Sequence, residues 1–190
     1  MPEFIVEPKS RREIRDLTNI LRNNLGLQDR LYFPIVEVIE SLPLMLKGFN
    51  YEIVDDDEFP EAIHGDTNIQ TGLIRIKESV YRGAVLGNGR DRMTLAHELG
   101  HFVTLCICGF TLKRNLSMLE KIPAYLSPEW QAKCFAGELL IPAHLTIGMC
   151  PEDISINCGV SITAAYYQYM VNLRLFPSLQ CPVSTPETAF

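Results

Sequence analysis

The sequence predicts an α+β fold, with a small, mostly antiparallel sheet packed against helices. Three observations lead to it. Apolar residues recur at helical spacing near the N-terminus, short β-rich runs separated by turn residues fill the middle, and strong helix-start signals follow Gly87. A chain of 190 residues buries enough apolar surface to fold as one domain without disulfides or metal. That domain is expected over residues 1–176, as an N-terminal half of helices and sheet (1–89) and a helical half (90–176). Residues 177–190 read as a loose tail.

The first helix is announced by Ser10-Arg11-Arg12-Glu13, a capping box. Ile14, Leu17, Leu21 and Leu25 then form an apolar stripe, and Gly26 is the stop. A second helix is expected from Ile35 to Leu42, bracketed by Pro34 and Pro43. Strands are expected at Tyr51–Val54, at Ala62–Gly65 and at Leu73–Lys77, with an acidic loop at 55–58 and a turn-rich stretch at 66–72. Gly87-Asn88-Gly89 breaks the chain, and Asp91 is the expected cap of a helix running to about Cys106. Ser127-Pro128-Glu129 combines a capping serine, proline at the first helical position and an acid in the first turn. That helix should run to Leu140, and a last one from about Ser161 to Leu175, with Tyr166, Tyr167, Met170 and Leu173 in the core.

Hydrophobic residues make up 47% and charged residues 21%, ordinary globular values that exclude disorder, collagen and coiled coil. A net charge of -6 argues against direct nucleic-acid binding, which needs a basic face. No apolar stretch approaches the ~20 residues of a membrane span, and Met1-Pro2-Glu3-Phe4 begins no signal peptide. The expected compartment is the cytoplasm. Its reducing milieu would keep Cys106, Cys108, Cys134, Cys150, Cys158 and Cys181 as thiols, mostly core.

Chemistry concentrates in His97-Glu98-Leu99-Gly100-His101, an H-E-x-x-H run inside an expected helix. Positions i and i+4 lie about 40° apart around the axis and ~6 Å along it, so both imidazoles can meet one ion. Glu98 sits about 100° round from His97, beside such an ion and not on it, where a carboxylate can deprotonate water. A chance match in a chain of this length has odds of about 1 in 200. Zinc suits this donor set and requires a third protein ligand. The metzincin continuation would need glycine and histidine where Thr104 and Ile107 stand. Glu129 and Glu138 remain, on the Ser127 helix and facing about 180° apart. Ala132 and Ala136 share the side of Glu129 and permit close helix approach there, together with Gly100, so Glu129 is the expected ligand.

Residues 90–101, Glu129-Trp130-Gln131-Ala132 and Phe135-Ala136-Gly137-Glu138-Leu139-Leu140-Ile141-Pro142 resemble the ImmA/IrrE family of metallopeptidases. Gly159-Val160-Ser161 and Ala164-Ala165 resemble that family's C-terminal helix, and the capped first helix and residues 73–81 fit its layout. The resemblance implies a zincin-like endopeptidase that cuts a helix-turn-helix repressor and so releases genes of a mobile element or stress response. By motif position His97, His101 and Glu129 would hold Zn2+ and Glu98 would be the general base. Lys133 departs from the pattern, which often has Asn or Asp there. It puts a cation near the site, so the metal is held more weakly or the lysine swings out to solvent. The chain is also too short for the extra regulatory domain some members carry.

His64, Tyr81 and Tyr125 are candidates to stabilise an oxyanion. His144 reads as structural, and Cys106-x-Cys108 has no second pair to complete a metal site. A strand edge near residues 72–78 is expected to align an extended substrate. Besides the endopeptidase, two other readings stand. One is a non-catalytic zinc-binding module or toxin–antitoxin component docking a helix-turn-helix regulator; the other is a purely structural zinc.

Overall fold

The computed structural model describes residues 5–111 and 123–175. The expected tail at 177–190, with Cys181, lies outside them. The elements are β1 (Ile5–Val6), α1 (Arg11–Asn24), α2 (Ile35–Met45), β2 (Asn50–Val54), β3 (Gly65–Asn68), β4 (Leu73–Lys77), α3 (Glu78–Val85), α4 (Gly89–His101), β5 (Phe110–Thr111), α5 (Pro128–Leu140), α6 (Ala143–Thr146), α7 (Pro151–Cys158) and α8 (Ile162–Leu175). A π-helical turn, Phe102–Ile107, continues α4. None of the helices described is long and apolar enough to cross a membrane.

The α+β class holds, with one correction to the sheet. Its strand order is β2-β4-β3, and β2 runs parallel to β4 while β3 runs antiparallel to it. The sheet is therefore mixed, not mostly antiparallel. Gly72 makes the entry to β4 possible. It holds φ +70°, and a Cβ there would sit 1.9 Å from the Gly48 carbonyl oxygen. β4 is the central strand; Ile74 and Ile76 are fully buried beneath α2 and α4. The edges are β2 and β3, so the strand expected to offer an edge at 72–78, β4, lies inside the sheet, and the edge beside α4 is β3 at 65–68.

Local signals explain most helix limits. Ser10 caps α1, its side chain accepting from the Glu13 amide while Glu13 accepts from the Ser10 amide at 2.7 Å. Ser127 caps α5, accepting from the Trp130 amide at 3.3 Å. α4 starts at Asn88, whose side chain accepts from Arg90 and Asp91 amides; Asp91 occupies the first turn instead of the cap. α2 passes through Pro43 to Met45, because a proline in the last turn forfeits only one helical bond. Residues 62–64 are not strand; β3 begins at Gly65, the last residue of the expected strand, and runs to Asn68 through what reads as turn.

Two polar residues bolt the domain together. Glu138 on α5 has no exposed side-chain surface and accepts from Arg15 Nε (2.7 Å), Arg11 Nη1 (3.1 Å) and Gln168 Nε2 (2.9 Å). It thereby joins α1, α5 and α8. Arg92 on α4 is 1% exposed and donates to the carbonyls of Phe33 and Gly159, each at 2.8 Å. On α8 the buried positions are Ala165, Gln168 and Asn172. Tyr166, Tyr167 and Met170, expected in the core, are exposed. The inward face of α8 instead carries Ala165 and Gln168, the latter donating to Glu138.

Candidate metal centre

α4 carries His97 and His101 one turn apart, with their rings edge to face and centroids 4.6 Å apart. α5 brings Glu129 to them. The approach depends on Gly100, where a Cβ would meet Ala132 O at 3.0 Å and Phe135 Cβ at 3.2 Å. Ala132 and Phe135 are fully buried in that seam. Close backbones are what let a first-turn glutamate of one helix reach the last-turn histidines of the other.

The three donor groups form a small triangle, one Glu129 oxygen turned to each histidine. His97 Nε2 and His101 Nε2 lie 3.1 Å apart. Glu129 Oε1 is 3.5 Å from His97 Nε2, and Oε2 is 3.3 Å from His101 Nε2. Three donors at the corners of a tetrahedron with bonds of about 2.0–2.1 Å stand about 3.3–3.4 Å apart. The contacts are of that size, and this cluster could hold a metal ion. The His pair holds the Glu129 carboxylate well below the usual carboxylate range, so it is an anion ready to ligate. Lys133 Nζ stands 3.1 Å from Glu129 Oε1, on the oxygen that faces His97.

Glu98 stands apart from the triangle. Its residue is 6% exposed, and Thr67 Oγ1 of β3 donates to Oε2 at 2.8 Å. Burial pushes its carboxyl up, with His101, His97 and the Thr67 hydroxyl pulling the other way. Gly65 makes room for it: a Cβ there would lie 3.3 Å from Glu98 Cγ. The edge strand thus both borders the site and fixes this carboxylate. Thr67 escaped sequence reasoning, since its stretch carries only turn signals and its partner is 31 residues away.

A cleft of about 1030 Å³ opens over the cluster, bordered by residues 62–70 on one side and by α4 and α5 on the other. His64 lines it and lies 3.3 Å from Arg90 Nη2. Tyr81 does not line it; its hydroxyl donates to Glu40 on α2, and that bond raises its pKa to about 12. Tyr125 also lies off the cleft, where its carbonyl accepts from Gln131 Nε2 at 2.9 Å. His144 contacts the Gln28 carbonyl oxygen at 3.0 Å, the structural role expected of it. Glu138, the other carboxylate weighed as a ligand, is committed to Arg11 and Arg15. Cys106 Sγ points to the Ile69 carbonyl at 3.6 Å, and Cys134 is buried.

No family model and no curated protein matches the sequence. One solved structure that shares the fold is a Mycobacterium tuberculosis transcriptional regulator, at a TM-score of 0.53 and 13% identity, over 81% of this chain. The chain spans 45% of that regulator's length.

Proposed function

We propose that the chain is a zinc-dependent endopeptidase whose substrate is a helix-turn-helix repressor. Glu98 is the observation that carries the catalytic half of this reading. A structural ion needs four protein ligands and no neighbouring base. Here three donors meet at an open cleft, and a buried carboxylate that is not one of them is held beside them by Thr67. The repressor rests on the resemblance of residues 90–142 to the ImmA/IrrE metallopeptidases.

His97, His101 and Glu129 would hold the zinc. When bound, zinc polarises a scissile carbonyl and brings the pKa of water toward ~7. Glu98 Oε1 is free of the Thr67 bond and takes the proton from the attacking water. The same carboxyl then gives that proton to the leaving amine. The Thr67 hydroxyl fixes the carboxylate plane during both transfers. The unpaired edge of β3 supplies amides and carbonyls along which an extended substrate segment is aligned. His64, at the rim, is the sequence-expected oxyanion candidate that the cleft retains.

The test is E98Q, with metal content and proteolysis measured together. Zinc analysis should find about one equivalent in both proteins, and a gel should show cleavage of a cognate repressor by the wild type only. Full cleavage by E98Q sinks the mechanism, and absence of stoichiometric metal sinks the site. Lys133 favours a second reading, a non-catalytic module that docks the regulator, because its ammonium competes for a Glu129 oxygen. Co-migration of repressor and protein without any cut fragment would select it.

A further inference from the structure

The charges around the cleft are unequal once their partners are counted. Asp66 is engaged by Arg75 through two bonds, at 3.0 and 2.8 Å. Glu98 is buried and bound to Thr67, and Glu129 faces the histidine pair. Arg90, exposed on α4, makes no salt bridge among the described residues; its near neighbours are the His64 ring and, more weakly, the adjacent Asp91 carboxylate. Lys133 has Glu129 alone, on the oxygen turned to His97. A divalent cation held by the cluster would offset the charges of Glu129 and Glu98. Arg90 and Lys133 are then the charges of the lining left over, both positive, in a chain of net charge -6.

Backbone dipoles add to them. Arg90, Pro128 and Ser161 all line the cleft, and they stand in or at the first turns of α4, α5 and α8. Helix N-termini carry partial positive charge. The first turns of α4 and α8 touch, since a Cβ on Gly89 would lie 2.5 Å from the Ser161 nitrogen.

We infer that the cleft selects an acidic segment of its polypeptide substrate, read by Arg90 and Lys133. This rests on the reading that the cleft takes a peptide. It also fixes a spacing. Arg90 precedes His97 by seven residues on one helix face, about 10.5 Å along the axis. An extended chain rises about 3.3 Å per residue, so Arg90 meets the side chain about three residues from the scissile bond. Lys133, beside Glu129, meets a position next to that bond.

The probe is a labelled ten-residue peptide with glutamates at the third position on either side of a central Leu-Leu and beside it. Its twin carries glutamine at the same places. Binding is measured by fluorescence anisotropy to the full chain carrying E98Q and loaded with zinc, with metal content checked for each protein. An exposed charge contact contributes about two- to fivefold, so with two of them the acidic peptide should bind about four- to twenty-fivefold tighter than its twin. R90Q and K133Q should each remove part of that ratio, R90E should reverse it toward a lysine twin, and salt should shrink it. Equal binding of the twins, binding of neither, or a preference unmoved by R90Q, R90E and K133Q overturns the proposal. The peptidase reading is judged apart, by mass spectrometry of peptide fragments made by the wild type. Loss of cleavage there leaves the binding ratio standing, and an absent ratio leaves cleavage standing.

Discussion

Two glutamates on α5 were both candidate ligands, and exchanging each for glutamine separates structure from site. Glu138 has a fully buried side chain and accepts four bonds, from Arg11, Arg15 twice and Gln168. In E138Q the two guanidiniums, each 17% exposed, keep their charge and face an amide. Breaking a buried pair destabilises by 3–5 kcal/mol, and the partial exposure of the arginines puts this case near ~3 kcal/mol. For a domain of this size that is about 6–12 °C in Tm. Glu129 is 54% exposed, so E129Q should change the metal-free stability by no more than ~0.5 kcal/mol. Its effect appears with zinc: at 1,000 times Kd the wild type gains about 4 kcal/mol and E129Q gains almost none. Thermal melts in EDTA and in zinc, with metal analysis of each protein, give the four numbers needed. A wild-type melt for E138Q in EDTA, or one equivalent of tightly held zinc in E129Q, would refute the assignment of roles.

Other outcomes follow from single contacts. R92L removes a buried guanidinium from the carbonyls of Phe33, Cys158 and Gly159, and should destabilise by ~3 kcal/mol in urea titrations. G72A places a Cβ 1.9 Å from the Gly48 carbonyl at a φ of +70°; soluble yield and Tm should both fall, whereas G26A, with open space around its Cβ, should lose only ~1 kcal/mol. Burial pushes the Cys134 thiol up to about 12 and the Cys158 thiol up to about 11, so peptide mapping after alkylation at pH 8 should find both unmodified until denaturant is added. S10A removes the capping box of α1 and should lower stability by ~1 kcal/mol.

What the chain revealed in advance was local. Ser10 and Ser127 cap their own next three residues, and His97 and His101 share one turn, so the helix starts and the donor pair could be read directly. Glu129 came from the small residues beside it, which the Gly100–Ala132 seam explains. The failures were non-local. β3 holds its place through pairing with β4 and through Thr67, not through its own Gly-Asp-Thr-Asn composition. The parallel β2–β4 pair joins strands about 20 residues apart, so neither strand signals its partner. Tyr166, Tyr167 and Met170 spell a core stripe, yet they face solvent, and the inward face carries Gln168 in its polar clasp on Glu138.

That clasp also sets an order of events during synthesis. Arg11 and Arg15 emerge early, but the carboxylate they await lies 127 and 123 residues downstream. At ~5–20 residues per second the arginines wait about 6–25 seconds. Through that interval the bonds from α1 to Glu138 cannot form. A helix of the second half thus fastens the first helix of the chain.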